Sequence, residues 1–337
     1  MGTEIKSLKR SLKVIGALFI TLSATTPASS VFIIAPGVVQ QAGTGAFLSF
    51  AIAAVISLCN AFVYAELSSA YPLAGGEYAM VGRILGPFAG FVIMGLNTIN
   101  MILITAVIAL GIGNYVGFLF PGVSTVTLGI AVVAITTLFG ILHIRTNALI
   151  LGVFLLIELL ALAVLAWLGF DSMVNPFSDF IFNPVNLDTA GNLQPASLGT
   201  IGLAVSVAVF AYNGYGNAVY FAEETHDAPR NIARVIFWAL AITVIAETVP
   251  VTAMLLGSSD LKALFGSSNM LGEFITEHGG STLGKAISLG IAAAIFNAAI
   301  ACILMVARIF YSTGRDRVWP HFINRAMTDI HNRFHSP

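Results

Sequence analysis

The sequence predicts an all-α polytopic membrane protein whose eight transmembrane helices form two antiparallel, inverted halves. Three observations carry this prediction. The 337 residues are 57% hydrophobic and only 9% charged, with mean hydropathy +0.91, which leaves too few charges to cover a globular surface. Eight apolar runs approach or exceed the roughly 20 residues that cross a bilayer. The first and sixth runs are each interrupted in mid-span, and paired broken helices at corresponding positions of two halves mark the binding site of a secondary transporter.

Taken in order, the first span (14–39) runs through VIGALFITLSA, meets Thr25-Thr26-Pro27-Ala28-Ser29-Ser30, and resumes at Val31. Proline lacks an amide donor and clashes with the preceding turn, and loosened backbone in hydrocarbon is tolerated only where it is packed in protein or lines a cavity. The basic start and small residues also imitate a secretory signal, but the apolar run continues through Ile34. The second span (47–70) ends at Pro72 and Gly75-Gly76, which stop the helix and reverse the chain, with Glu66 and Glu77 nearby. Spans three to five cover 88–118, 123–143 and 149–170, the last holding Glu158.

A polar outer loop without Lys or Arg, carrying Asp171, Asp179 and Asp188, separates the halves. The sixth span (198–222) breaks at Tyr212-Asn213-Gly214-Tyr215-Gly216-Asn217, and the seventh (235–256) holds Glu247 before Pro250. A loop over 257–284, with Leu261, Leu264, Phe265, Leu271, Phe274 and Ile275 among its charges, reads as one or two short surface helices forming a cap or lid. The eighth span covers 285–311. The expected organisation is a first repeat over 1–170, broken near 25–30, an outer loop over 171–196, and an incomplete second repeat over 197–337, broken near 212–217.

With a cytoplasmic N-terminus, 13 of the 15 basic residues fall inside and only Lys262 and Lys285 outside, which orients the chain with both termini in the cytoplasm. A multi-pass protein of the cell membrane is expected. Cys59 and Cys302 lie within spans without metal spacing and read as small buried side chains. The net charge of -1 and the lack of a basic face give no nucleic-acid partner. His143, His226, His278, His321, His331 and His335 fall at span ends or in loops, so no catalytic residues, metal site or cofactor are expected, and a membrane enzyme ranks far behind a transporter.

Three stretches carry a family resemblance. AELSSAYPLAGGEYAMVGRILGP, FAYNGYGNAVYFAEETHDAPRNIARVI and FNAAIACILMVARIFYSTGRDRVWP resemble the second-span ending, the sixth span with its following segment, and the eighth span of the amino acid-polyamine-organocation (APC) superfamily of permeases. The resemblance implies a leucine-transporter-like inverted-repeat fold, of whose usual twelve spans eight are present, and a secondary active transporter of amino acids by symport or antiport. Because the sequence stops where a ninth span is expected, the alternative is a truncated, non-transporting scaffold or fragment. No oligomeric state follows.

By the same resemblance, Ala28-Ser29-Ser30-Val31-Phe32 occupies the place of a Gly-Ser-Gly-Ile-Phe motif. A half-helix beginning near Ser30 is expected to aim free amides and its positive dipole end at a substrate carboxylate. Ser29 and Ser30 either add donors or cap local backbone. The sixth span is expected to end its first half near Phe210-Ala211-Tyr212, leaving carbonyls for a substrate ammonium. Phe210 matches an aromatic that closes over substrate, or is packing, while Asn213 and Asn217 contact substrate or satisfy loosened backbone. Glu158 stands where sodium-independent relatives carry lysine; as an intramembrane acid it is a candidate for proton coupling, or a neutral acid hydrogen-bonded to the first helix. Glu247 is a second, lower-ranked candidate. The eighth span lacks the paired hydroxyls of sodium-coupled relatives around Asn297, which disfavours sodium coupling.

Overall fold

The structure, a computed structural model, describes residue 8 and residues 10–116, 122–188, 190–267 and 269–334. Lys6, Lys9, the expected span end Phe118 and the terminal His335-Ser336-Pro337 lie outside the described residues. The first span comprises α1 (Val14–Thr25), α2 (Pro27–Ser29), a π-helical turn (Ser30–Ile34) and α3 (Ala35–Ala42). A 3-10 turn at Gly43–Gly45 joins it to α4 (Ala46–Ala70). Gly43 has φ +58, and a Cβ there would lie 1.9 Å from the Val185 carbonyl oxygen, so only glycine reverses the chain this tightly.

Next come α5 (Glu77–Ile84), α6 (Pro87–Val116), α7 (Thr125–Gly140) and α8 (Ile144–Asp171), then a short α9 (Phe177–Phe182). An antiparallel hairpin of β1 (Val185–Leu187) and β2 (Leu193–Pro195) follows, pairing Val185 with Pro195 and Leu187 with Leu193. The second half contains α10 (Leu198–Ala211), a 3-10 helix (Tyr215–Glu224), α11 (Ala228–Gly257), α12 (Leu261–Gly266), α13 (Met270–Arg315) and α14 (His321–Phe334).

Among the described residues, six helical stretches are long and apolar enough to cross a membrane. The first, Val14–Ala70, merges the first two expected spans. The 16-residue α7 is apolar but shorter; it starts where the Ser124 hydroxyl accepts from the Thr127 amide at 3.1 Å, an N-cap. With Phe62, Phe91, Leu103, Leu149, Leu160 and Trp167 exposed along α4, α6 and α8, the chain is a multi-pass membrane protein: its apolar surface faces lipid, and helices satisfy their own backbone there.

The helices α11, α8 and α4 pack together, and α13 crosses α6 and α8. The buried interior divides between one end, with Phe50, Tyr212, Met254 and Phe274, and the other, with Leu12, Ile20, Phe221, Ile232 and Met305. At the latter end Leu12 bridges Thr225, the Arg145 Nε donates to the Ser11 carbonyl, and the Ser69 hydroxyl donates to the Pro229 carbonyl. At the opposite end the Val174 amide donates to the Leu256 carbonyl and the Gln40 amide to the Ser267 carbonyl.

Several expectations need correction. The loop over 171–196 is not merely polar linker: α9 and the hairpin order it, and Phe180 of α9 is buried. In the 257–284 segment α12 is separate, but the second helix runs on into the last span as α13, with a kink at Gly280 (φ 78, ψ 167). Its Leu264, Phe265, Leu271 and Phe274 are core residues. Cys59 is exposed on α4, whereas Cys302 is buried. Of the two acids near the first turn, Glu66 is exposed. Glu77 is held by Tyr64 (2.5 Å) and Asn97 (2.6 Å).

Candidate functional site

The interruption of the first span is narrower than expected. Only Thr26 leaves the helix, at φ 48, and Pro27 restarts it at the position where a missing amide costs nothing. The Ser30 amide already donates to the Thr26 carbonyl at 3.0 Å, so the half-helix begins at Pro27, not near Ser30, and its free amides are those around Ala28. A π-helical turn follows at Ser30–Ile34; such turns widen a helix locally and concentrate at functional sites. In the sixth span α10 ends at Ala211, a turn passes through Gly214 at φ 129, and a 3-10 helix continues to Glu224.

Between the two interruptions lies a cavity of about 240 Å³. Ser29 and Ser30 line it from the first span, and Phe210, Ala211, Asn213 and Asn217 from the sixth. The other four proposed contacts lie elsewhere. Ala28 and Val31 are fully buried in the helix packing, and Phe32 faces a separate cavity beside Tyr115 and α13. Tyr212 points away, its hydroxyl 2.5 Å from the Thr248 hydroxyl and donating to the Phe50 carbonyl at 3.3 Å. Thr25 and Thr26 of the same break also line it, together with residues that sequence reasoning missed, among them Asn100, Met101, Ile104 and Cys302. Asn100, an amide in an apolar third span that also holds Asn97 and Asn114, is the one of these with a readable signal.

Glu158 and Glu247 lie outside the cavity wall, both fully buried. The Asn297 amide donates to Glu158 Oε1 at 3.1 Å and to the Ser23 hydroxyl at 2.9 Å, tying α8 to α13 and α1. The Ala28 amide and Thr26 hydroxyl also face the Glu158 carboxyl, although its Oε2 has no partner within hydrogen-bond length. The acid thus sits at the start of the second half-helix, where negative charge is favoured. The amides expected to hold a substrate carboxylate are met there by a carboxyl of the protein itself. Glu247 reaches the other side of the same segment: Ser30 Oγ lies 2.9 Å from its Oε2 and 3.1 Å from the Ala211 carbonyl oxygen.

Below the cavity, two acids that follow the sixth-span interruption are clamped to α13. Arg308 donates through Nε and Nη2 to the buried Glu224 at 2.6 and 3.0 Å. Arg315 donates through both Nη atoms to Glu223 at 2.7 Å. The Tyr78 hydroxyl donates to Asp316 at 2.6 Å; burial first, then this hydrogen bond, holds the phenol above its ordinary range and keeps it a donor. Among the described residues, no group of three His, Cys, Asp or Glu is arranged to hold a metal ion.

A family model described as amino acid permease matches residues 12–337. An uncharacterized transporter of Mycobacterium tuberculosis is 28% identical, the alignment covering 98% of this chain and 70% of that protein. The large neutral amino acids transporter small subunit 2 of Homo sapiens is 27% identical over 86% of this chain and 55% of its own. The Asc-type amino acid transporter 1 of Mus musculus is 26% identical over 96% and 61%. The chain therefore spans between about half and 70% of the length of these relatives. They are transporters and not enzymes, and by its match to the family model along nearly all its length, this chain belongs to the amino acid permease family.

Proposed function

We propose that the chain forms the substrate-binding part of a secondary active transporter that carries a neutral amino acid across the cell membrane, driven by protons or by exchange. The observation that carries this reading is the cavity bounded by both helix interruptions, lined by Ser29, Ser30, Phe210, Ala211, Asn213 and Asn217. A zwitterion suits such a cavity, since the Ser29 hydroxyl and the Asn213 and Asn217 side-chain amides can donate to its carboxylate and the Ala211 carbonyl can accept from its ammonium. No Asp, Glu, Lys or Arg lines the wall, which favours an uncharged side chain. The volume, about 240 Å³, is below the roughly 300–1,000 Å³ of sites for drug-sized ligands and suits an amino acid. The human relative's name, a large neutral amino acids transporter, agrees in class.

On this reading eight spans belong to a leucine-transporter-like inverted repeat, with both termini cytoplasmic, the first repeat over 1–170 and part of the second over 197–337. Glu158 and Glu247 are the proton-coupling candidates.

Uptake of radiolabelled L-leucine into proteoliposomes, in sodium-free buffer with a proton gradient imposed in either direction, tests the reading. Saturable accumulation that collapses with a protonophore is expected. Absence of both saturable uptake and counterflow would overturn the transport reading, and uptake that appears only with sodium would overturn proton coupling.

A further inference from the structure

Ser30 has one hydroxyl hydrogen, yet two oxygens lie within its reach: the Ala211 carbonyl at 3.1 Å and Glu247 Oε2 at 2.9 Å. A carbonyl only accepts and an ionised carboxylate only accepts. Both contacts are therefore full hydrogen bonds, rather than two weakened halves of one shared hydrogen, when the carboxyl carries a proton and donates it to Ser30 Oγ, which then donates onward to Ala211. Glu247 Oε1, fully buried and without a partner, fits the carbonyl oxygen of a neutral acid, because a full charge left unpaired there would cost far more. Glu158 differs in kind. Its Oε1 accepts from the Asn297 amide at 3.1 Å and the Ala28 amide faces it, while the Thr26 hydroxyl donates to Ser29 Oγ at 2.9 Å. With Oε2 unpartnered like Glu247 Oε1, what separates the two acids is that Glu247 alone lies against a hydroxyl already engaged with a cavity-wall carbonyl.

We propose that Glu247 is the proton-binding group of this structure and that its proton competes with substrate through Ser30. With Glu247 protonated, the chain Glu247–Ser30–Ala211 takes up the lone pair that the Ala211 carbonyl, at the end of the first half of the sixth span, turns toward the first-span segment. When the carboxyl releases its proton, the Ser30 hydroxyl turns to the carboxylate, a stronger acceptor, and lets go of the Ala211 carbonyl. That carbonyl, on a residue of the cavity wall, then accepts from the substrate ammonium. One O–H bond breaks at Glu247, one proton leaves through the cavity, and no other bond changes. This inference rests on the proposed function, which it deepens by assigning the coupling group and the sign of the coupling: substrate binding expels a proton.

The surroundings supply no competing switch. The titratable group facing Glu247 from α10 is the Tyr212 phenol, occupied with Thr248 and the Phe50 carbonyl. Glu158 on α8 is engaged by Asn297. Tyr64 on α4 is committed to Glu77, Glu66 is exposed, and the π-helical turn offers Ser30 alone.

The test is L-leucine binding to the purified protein between pH 5 and 8, by calorimetry in buffers of different ionisation enthalpy. For the unmodified protein, Kd should fall by up to about tenfold per pH unit until Glu247 is ionised, with about one proton released per leucine bound at the low-pH end. Glu247→Gln, whose amide still donates to Ser30, should bind weakly and without pH dependence. Ser30→Ala, which cannot occupy the carbonyl, should bind tightly and also without pH dependence. The two variants thus move in opposite directions, which a merely structural role would not produce. A pH-independent Kd in the unmodified protein, or a pH dependence that survives in Ser30→Ala, would overturn this inference while leaving the transporter reading intact. Failure of the unmodified protein to bind any of the neutral amino acids would overturn that reading and this inference together.

Discussion

Glu158 and Glu247 are equally buried carboxyls, and their different surroundings separate their roles. Around Glu158 the donors of α13 and of the first-span restart converge, so its removal leaves buried amides without an acceptor, at roughly 1–3 kcal/mol for each unsatisfied group. Glu158→Ala should accordingly lower the thermal midpoint in detergent and weaken leucine binding, whereas Glu158→Gln, which keeps one acceptor oxygen, should retain the pH dependence of the unmodified protein. Loss of that dependence in the glutamine variant would make Glu158 the proton site. A lone Glu in an apolar run is legible as a candidate, because ionisable groups are expensive in a membrane. Its partner Asn297 is not, since the two are 139 positions apart and only helix packing brings them together. The hydroxyl of Ser30 is similar: its place near a helix restart can be read, but the company of Glu247, 217 residues away, cannot.

At the scale of elements, the interruptions are the most legible features of the fold, because Pro27 and Asn213-Gly214 are punctuation that an unbroken span would avoid. How far each interruption extends is set by tertiary contact. The first span needs only Thr26 out of the helix because the Ser30 amide recovers its bond to Thr26, and the π-helical turn absorbs the remaining misfit. The sixth relies on Gly214, whose φ is 129 and whose Cβ position lies 2.7 Å from Thr25 Oγ1; here the two interruptions touch. Gly214→Ala should destabilise the protein by about 1–3 kcal/mol through strain and abolish leucine binding. Gly202→Ala, in the middle of α10 with open space around it, should leave both unchanged. Equal melting temperatures for the two variants would show that this contact is dispensable. Short elements escaped the sequence reading for a physical reason: the hairpin over 185–195 and α9 owe their order to Thr44, Asn186 and the first-span end they cover, not to their own periodicity.

At the scale of the whole molecule, segments that the charge asymmetry assigns to one side of the membrane meet at one end of the structure. Residues 11–12, 224–226, 229 and 315–316 lie with the turn over 71–78, while 40–44, 174–186 and 256–267 gather at the other. Which end faces the cytoplasm is an expectation from the 13 inner basic residues. Single cysteines at Ser178 and Ser267, in a chain with Cys59 and Cys302 replaced, should react with an impermeant thiol reagent on intact cells, and labelling only after permeabilisation would reverse the orientation. Of the two arginine clamps at one end, Arg308–Glu224 is buried and Arg315–Glu223 is partly exposed. Arg308 and Glu224 attract strongly while they are buried from water, and the attraction weakens many-fold once water screens it. Water that reached the buried Arg308–Glu224 pair would therefore loosen the contact that excludes it, so separation of α13 from the 3-10 helix should proceed in one cooperative step and not by gradual fraying.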